Sequence, residues 1–516
     1  MTTGKSEKPP TMTAVGEAQP AGTLLSELLN VSNVGPRESQ PYKLVRRGTH
    51  KLIDDLLRTA DAPTKVDRQL VDDMIAELDR RLSVQVSAIL HHPQVQQLEA
   101  AWRGVKYLVD ATDFGQNVLL EMVSVTKEEL KNDFEDASDV TQSAFYKTVY
   151  RDSFGTLGGR PYGVICSTYD FGPGGEDVAL LKNCAAVASM AHSPFLANAA
   201  PRLLGLDSFV DLPKLKDVSA IFDGPQSSRW DTLRDSEEAR FLGICLPRFL
   251  LRGPYGEPLH VPETSSEFVP ESQRGETPTV KAFAYSEDVI DHHDRYLWGP
   301  ASLAMAARIA SSFARYGWGP NIIGPQGGGS IHHLPLHVYE QAGELKTKNP
   351  VEASIDDGAE KALAECGLIG LQFRKHSADA VFMSAKSLRR PQIFARTLEG
   401  QALQRNAEIA AQLPYTFVIS RIAHYMKVLQ REQIGTWKTR ADLERELNQW
   451  VSGYVSDMPD PPPETRSRKP LRKARITVEE IPGQQQWFRC ALAVEPHFKL
   501  EGLDISLGLV GKLDRT

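Results

Sequence analysis

His332, His333 and His337 fall within six consecutive residues of a 516-residue chain, and His292, His293 and Asp294 form a second short cluster. Neutral imidazoles joined by a carboxylate can hold zinc while leaving a coordination position open, the arrangement a metal-dependent hydrolase needs. Against that chemistry, Pro335 breaks the helix that would put His333 and His337 on one face, and no H-E-x-x-H motif is present. Gly4-Lys5-Ser6 carries the last letters of a phosphate-binding loop, but neither the earlier glycine nor a strand precedes it. The Gly327-Gly328-Gly329-Ser330 run lacks the lysine and reads as a flexible turn. No G-x-S-x-G elbow or catalytic-cysteine signature occurs. A non-enzyme without cofactor is the favoured expectation, and a soluble metal-dependent hydrolase using His332, His333 and His337 is the alternative.

The totals narrow the class further. Hydrophobic residues make up 41% and charged residues 24% of the chain, ordinary values for a globular protein with a real core. Cys166, Cys184, Cys245, Cys366 and Cys490 lie far apart with no C-x-x-C pair, which fits a reducing compartment. No signal-peptide pattern and no run of 18 apolar residues is found, so the expectation is a cytoplasmic protein without membrane insertion. The net charge of −7 argues against nucleic acid as partner. Arg466, Arg468, Lys469, Arg472, Lys473 and Arg475 do form a dense basic run, but without interleaved aromatics it reads as a protein-contact segment.

The elements that would carry these residues follow from periodicity. Val66, Leu70, Met74, Leu78, Leu82 and Val86 recur every four residues, flanked by Val71, Ile75 and Ile89, and predict a long helix with a wide apolar stripe. After Pro93 a second helix continues through Val95, Leu98, Trp102, Val105 and Leu108. NVLLEMVSV (117–125) and YGVICSTYDF (162–171) predict strands, the latter running into the Gly-Pro-Gly-Gly turn at 172–175. EDVALLKNCAAVASMAHS and ASLAMAARIASSFAR predict small-residue helices, and 399–430 and 439–454 are helical. FLGICLPRFLL is interrupted by Pro247 and is expected to be partly edge strand or loop. Residues 261–279 form a polar insertion.

MPDPPPE (458–464) precludes a continuous helix and marks a boundary. Beyond it, RITVEE, a turn at IPGQQ and WFRCALAV predict a hairpin with Phe488, Cys490, Leu492 and Val494 on one face. Leu503, Ile505, Leu507 and Leu509 then alternate with polar or small residues as a last strand. At the other end, 1–21 are polar and proline-broken, yet GTLLSELLN (22–30) is apolar. Thr23 can cap a short helix that places Leu24, Leu25, Leu28 and Leu29 on one face. So short a helix is marginal alone in water and needs a partner groove.

Several blocks together resemble the large subunit of the type VI secretion contractile sheath, the TssC or VipB family. They are LDRRLSVQVSAILHHPQVQQLEAAWRGVKYLV (78–109), YGVICSTYDFGPGGEDVALLKNCAAVASMAHSPFLANAAPRLLGLDSF (162–209) and ARFLGICLPRFLLRGPYG (239–256). YLWGPASLAMAARIASSFARYGWGP (296–320), LPYTFVISRIAHYMKVLQREQIG (413–435) and PHFKLEGLDISLGLV (496–510) complete the set, in family order across most of 65–516. The resemblance implies an α+β, multi-domain fold like that of phage tail sheaths, with a helical N-terminal region and a β-rich C-terminal domain. The expected division is a tail at 1–60 with an amphipathic helix at 22–31, a helical region at 61–115, mixed α/β domains at 116–457, and the link and strands at 458–516. Implied partners are a small TssB/VipA-like subunit, further copies of the chain in a helical lattice, an Hcp-like inner tube, a baseplate and a ClpV-type AAA+ ATPase. On this reading Leu24, Leu25, Leu28 and Leu29 are the ATPase handle, Leu70, Met74, Leu78 and Leu82 meet the small subunit, and Leu503, Ile505, Leu507 and Leu509 form a strand shared between protomers.

Overall fold

The computed structural model describes residues 68–509 apart from 216, 225–226, 257–282, 284, 376, 396, 434–438, 459, 481–487 and 498–506. Leu24, Leu25, Leu28, Leu29, Leu503, Ile505, the polar insertion and Gly4-Lys5-Ser6 therefore lie outside the described residues. Two compact units divide at Val86/Ser87, within the first helix. That helix, α1 (Arg68–Leu90), keeps the predicted stripe, and Glu77 holds Arg80 and Arg81 along its polar side at 2.8 and 2.7 Å. A second helix, α2 (Pro93–Asp110), begins on Pro93, where the absent N–H costs nothing.

The centre of the second unit is a six-stranded sheet in the order β1 (Ile165–Phe171), β2 (Phe195–Ala199), β3 (Leu242–Leu246), β9 (Leu368–Phe373), β10 (Ala380–Phe382) and β6 (Ser330–Ile331). β1, β2, β3 and β9 are parallel, and β10 and β6 extend the sheet antiparallel. A parallel sheet must be covered on both faces, and alternation along the strands does this. Ala197, Leu242, Ile244 and Leu368 point into one core with Leu181, Cys184, Ala185 and Ala188 of the helix at Gly175–Ala191. Leu196, Cys245, Ile369 and Leu371 point into the other, with Ala301, Ala304 and Met305 of the helix at Ala301–Tyr316. Alanines let that helix lie close to the sheet. Gly243 is required in β3 for the same reason, because a Cβ there would sit 2.7 Å from both Leu196 and Leu413 side chains.

FLGICLPRFLL divides at Pro247 as expected: β3 before it is central, with a neighbour on either side, because Pro247 falls just beyond its last residue and removes no ladder bond, while 247–248 are irregular and the two residues after them form a short strand outside the central sheet. Between β3 and β9 the chain makes two hairpin-like pairs, β4 (Phe249–Leu250) with β5 (Trp298–Gly299) and β7 (His337–Gln341) with β8 (Glu344–Lys348). NVLLEMVSV is a correction: residues 118–125 form no strand and pair with none among the described residues.

A long helix, Leu413–Glu432, links the sheet to the C-terminal part. Its start packs Leu413 and Phe417 on the sheet, and its later turns place Val418, Ile422 and Met426 against β11 (Leu471–Glu480) and β12 (Phe488–Pro496). The hairpin is in the predicted phase, with Cys490, Leu492 and Val494 buried beside Ile476 and Val478. β13 (Leu507–Leu509) pairs antiparallel with β12.

Candidate functional site

The histidine clusters do not make a metal centre. Among the described residues no group of three or more His, Cys, Asp or Glu side chains is placed to hold a metal ion. His337 is buried on β7 with its Nδ1 bonded to the Tyr296 hydroxyl at 2.8 Å. His332 faces Asp379 at 3.1 Å, and His333 has a left-handed backbone (φ 59°) in the turn before Pro335. The expected alternative, a hydrolase built on these three, is not supported. The glycine run at 327–329 is not an open turn either: Cβ atoms on Gly327 and Gly328 would come within 2.3 Å of carbonyl oxygens.

His293 belongs to an ion chain instead. Arg248 donates two hydrogen bonds of 2.7 Å to Glu352, whose side chain is fully buried. Lys348 donates to His293 Nδ1 at 3.1 Å, which leaves the ring proton on Nε2 to donate to Glu352 at 3.2 Å. Burial pushes the Glu352 pKa up, but Arg248 and His293 more than offset it and hold the carboxyl below its ordinary value. Such an arrangement is saturated with partners and has no open position for a substrate.

A second charged cluster ties α2 to the ends of the polar insertion. Arg252 sits between Glu99 (2.9 Å) and Glu287 (2.6 Å), and Glu287 also accepts from the Tyr255 N–H at 3.0 Å and faces His91 Nε2 at 3.0 Å. The Glu287 N–H returns a bond to the Tyr255 carbonyl at 2.8 Å. Residues 255 and 287 are thus clamped on either side of 257–282. No sequence spacing could reveal a triad drawn from positions 99, 252 and 287.

What remains are surfaces. On α1, Leu82 is 42% exposed while Met74 and Leu78 are half-buried; Leu70 lies in the helix, but its side chain is outside the described set. On the C-terminal sheet the two edges differ. The outer edge of β11 is occupied by the helix Arg440–Ser452, whose Asn448 accepts from the Ile476 N–H at 2.9 Å and donates to the Ile476 carbonyl at 2.6 Å, as a neighbouring strand would. The β12 edge takes a strand, with Leu507 opposite Val494 and Leu509 opposite Leu492. The basic run is partly neutralised within the chain, Arg468 by Glu464 and Arg472 and Lys473 by Glu495. Burial pushes the Cys184 and Cys245 thiols up, so neither is a ready nucleophile. No described helix is long and apolar enough to cross a membrane.

Comparison with known proteins gives these surfaces a context. Residues 72–389 match the family described as EvpB/VC_A0108, tail sheath N-terminal domain, and residues 402–513 match the EvpB/VC_A0108 tail sheath gpW/gp25-like domain. The chain is 33% identical over 484 residues to the type VI secretion system sheath protein TssC1 of Pseudomonas aeruginosa, covering 93% of both chains. With a sheet-centred first part, a separate β-rich end and no assembled catalytic group among the described residues, the chain belongs to the type VI secretion tail sheath family, as a large subunit of the sheath.

Proposed function

We propose that this chain is a structural, non-catalytic component of a contractile injection machine in the bacterial cytoplasm. It pairs with a small TssB/VipA-like subunit, and the pairs stack with further copies into a helical tube around an Hcp-like inner tube on a baseplate. Contraction of that tube drives effector delivery. The work comes from an extended packing relaxing to a tighter one, a change between two interface arrangements and not a reaction. The observation that carries the reading is that sheath-family matches span both the sheet-centred and the C-terminal parts of the chain. The test is negative-stain electron microscopy of the chain alone and co-expressed with its small subunit. Long hollow tubes only in the co-expression are expected; discrete particles in both samples would overturn the reading.

Three contacts are assigned within it. The α1 stripe of Leu70, Met74, Leu78 and Leu82 meets the small subunit, and the exposure of Leu82 together with Ile75, Val84 and Ile89, on a helix with no buried residue among those described, supports this. Leu503, Ile505, Leu507 and Leu509 supply a strand shared between protomers; within one chain 507–509 pair with β12, and sharing would move that pairing onto a neighbour's β12 edge. Leu24, Leu25, Leu28 and Leu29 form the handle for a ClpV-type AAA+ ATPase. Replacing Leu25→Asp together with Leu28→Asp is expected to leave tubes intact and abolish ATPase pull-down. Retained binding would place the handle elsewhere.

A further inference from the structure

The helix Arg440–Ser452 does more at β11 than pack on it. Among the described residues no strand pairs on the outer edge of β11, a ten-residue strand long enough to template another chain. The edge is nevertheless spoken for. At its start Ser456 donates its N–H to the Leu471 carbonyl at 2.9 Å, and Val455 bridges Leu471 in parallel. A bulge follows between Leu471 and Lys473. Beyond it the partners are side chains: Asn448 accepts from the Ile476 N–H at 2.9 Å and donates to the Ile476 carbonyl at 2.6 Å, and Glu444 accepts from the Val478 N–H at 3.4 Å.

A primary amide presents the donor and the acceptor of a peptide group, so Asn448 stands in for one residue of a neighbouring strand. Its other Nδ2 hydrogen goes to the Glu444 carbonyl at 2.7 Å, which fixes the amide in the orientation that Ile476 needs. Leu447 and Val451 of the same helix are buried with Ile476 and Val478, so apolar contacts anchor the helix whatever stands at 448. An apolar residue there would leave that anchor intact and the Ile476 groups open. The amide is accounted for by the edge and not by the core.

We propose that Asn448, assisted by Glu444, closes the β11 edge to strand addition and so confines pairing to the β12 side of the hairpin. The strand it excludes is the C-terminal segment of another copy of this chain, the segment that pairs with β12 through Leu507 and Leu509. The inference rests on the sheath reading, in which that segment passes between protomers. Each chain has one such segment to give, and a hairpin with one open edge takes one, so donors and acceptors match in number. A hairpin open on both edges would take two, leave another hairpin without its strand and branch the assembly. Main-chain bonds supply most of the affinity of an added strand and carry little sequence information, so the wrong edge has to be blocked and not merely disfavoured.

The test is binding of a fluorescein-labelled peptide of residues 500–511 to the full chain, unaltered and as Asn448→Leu and Asn448→Asp. Leucine fills the space with neither donor nor acceptor, whereas aspartate sets a charged oxygen against the Ile476 carbonyl. Asn448→Leu is expected to exchange the Ile476 amide about tenfold faster, with a melting temperature close to that of the unaltered chain. At saturation it is expected to hold about one peptide more per chain than the unaltered protein, whatever binds at β12 being common to both. Asn448→Asp is expected to gain the same peptide and carries the test if the leucine variant does not fold. The same peptide number in a folded variant as in the unaltered chain would overturn the inference and leave the sheath reading standing, because tube formation by the unaltered chain with its small subunit is judged separately by microscopy. Absence of tubes there would remove the sheath reading, and the role in assembly with it, even where the variants gain a peptide.

Discussion

Glu287→Ala is expected to destabilise the chain by about 3–5 kcal/mol, the cost of leaving a buried charge without its partner. The Glu287 side chain is fully buried and accepts from Arg252 and the Tyr255 N–H, with His91 facing its other oxygen. Burial alone would raise its pKa; the bonds from Arg252 and Tyr255 dominate and hold the carboxyl below its ordinary value. Removing it leaves Arg252, whose side chain is 10% exposed, with Glu99 alone, and unties the clamp between 255 and 287. Glu287→Gln keeps the shape but not the charge, and is expected to fall between the two. The check is a urea unfolding series of the three proteins at pH 7.5. Equal midpoints for Glu287→Ala and the unaltered chain would mean that water reaches the site and replaces the carboxylate. Arg252→Lys is informative beside it, since an ammonium cannot bridge two carboxylates with the same forked geometry.

How much of this was legible in the sequence depended on the range of the signal. The helices at 175–191 and 301–316 and the β11–β12 hairpin were readable because period and turn chemistry are local. The break at Pro247 was readable for the same reason, since its restriction begins one residue after the β3 ladder ends. The pattern of 117–125 was read as a strand, but the segment pairs with none among the described residues, since β-propensity reports a preference and not a pairing. His293 looked like a metal ligand because histidines close in sequence invite that reading. Its actual partners, Lys348 and Glu352, are 55 and 59 residues away, beyond any motif. The family itself was readable from many blocks in order, whereas the charge clamps at 99, 252 and 287 and at 248 and 352 appear only when the chain is folded.

Lowering the pH from 7.5 to 5 is expected to cost about 2 kcal/mol through His424 alone. His424 is 1% exposed on the long helix; its Nε2 hydrogen donates to the Ala191 carbonyl at 2.8 Å, and Nδ1 has no partner. Burial pushes its pKa down to about 3. The Ala191 bond opposes that shift, and the charges of His192, Arg421 and Lys427 add to it. Phe154 lies edge-on at 5.0 Å and offers no counter-charge. With the folded pKa depressed, the unfolded chain takes up a proton as pH falls below about 6.5 while the folded chain does not. Stability is therefore complete above that value and is lost by up to about 1.4 kcal/mol per pH unit below it. His192, also pushed down chiefly by burial, and His497 act with the same sign. Glu99, Glu287 and Glu352 have depressed pKa values, so their contribution is intact above the unfolded carboxylate value near 4.5 and fails only below it. From pH 6.5 to 5 the histidines act together with Asp170, whose carboxyl burial pushes up to about 6; the folded chain protonates there, and its contribution has the opposite sign. His424→Gln can keep a donor toward Ala191 and has no proton to gain, so its urea midpoint is expected to fall less steeply over that interval than that of the unaltered chain. Identical slopes would show that His424 is protonated, or reached by water, in the folded state.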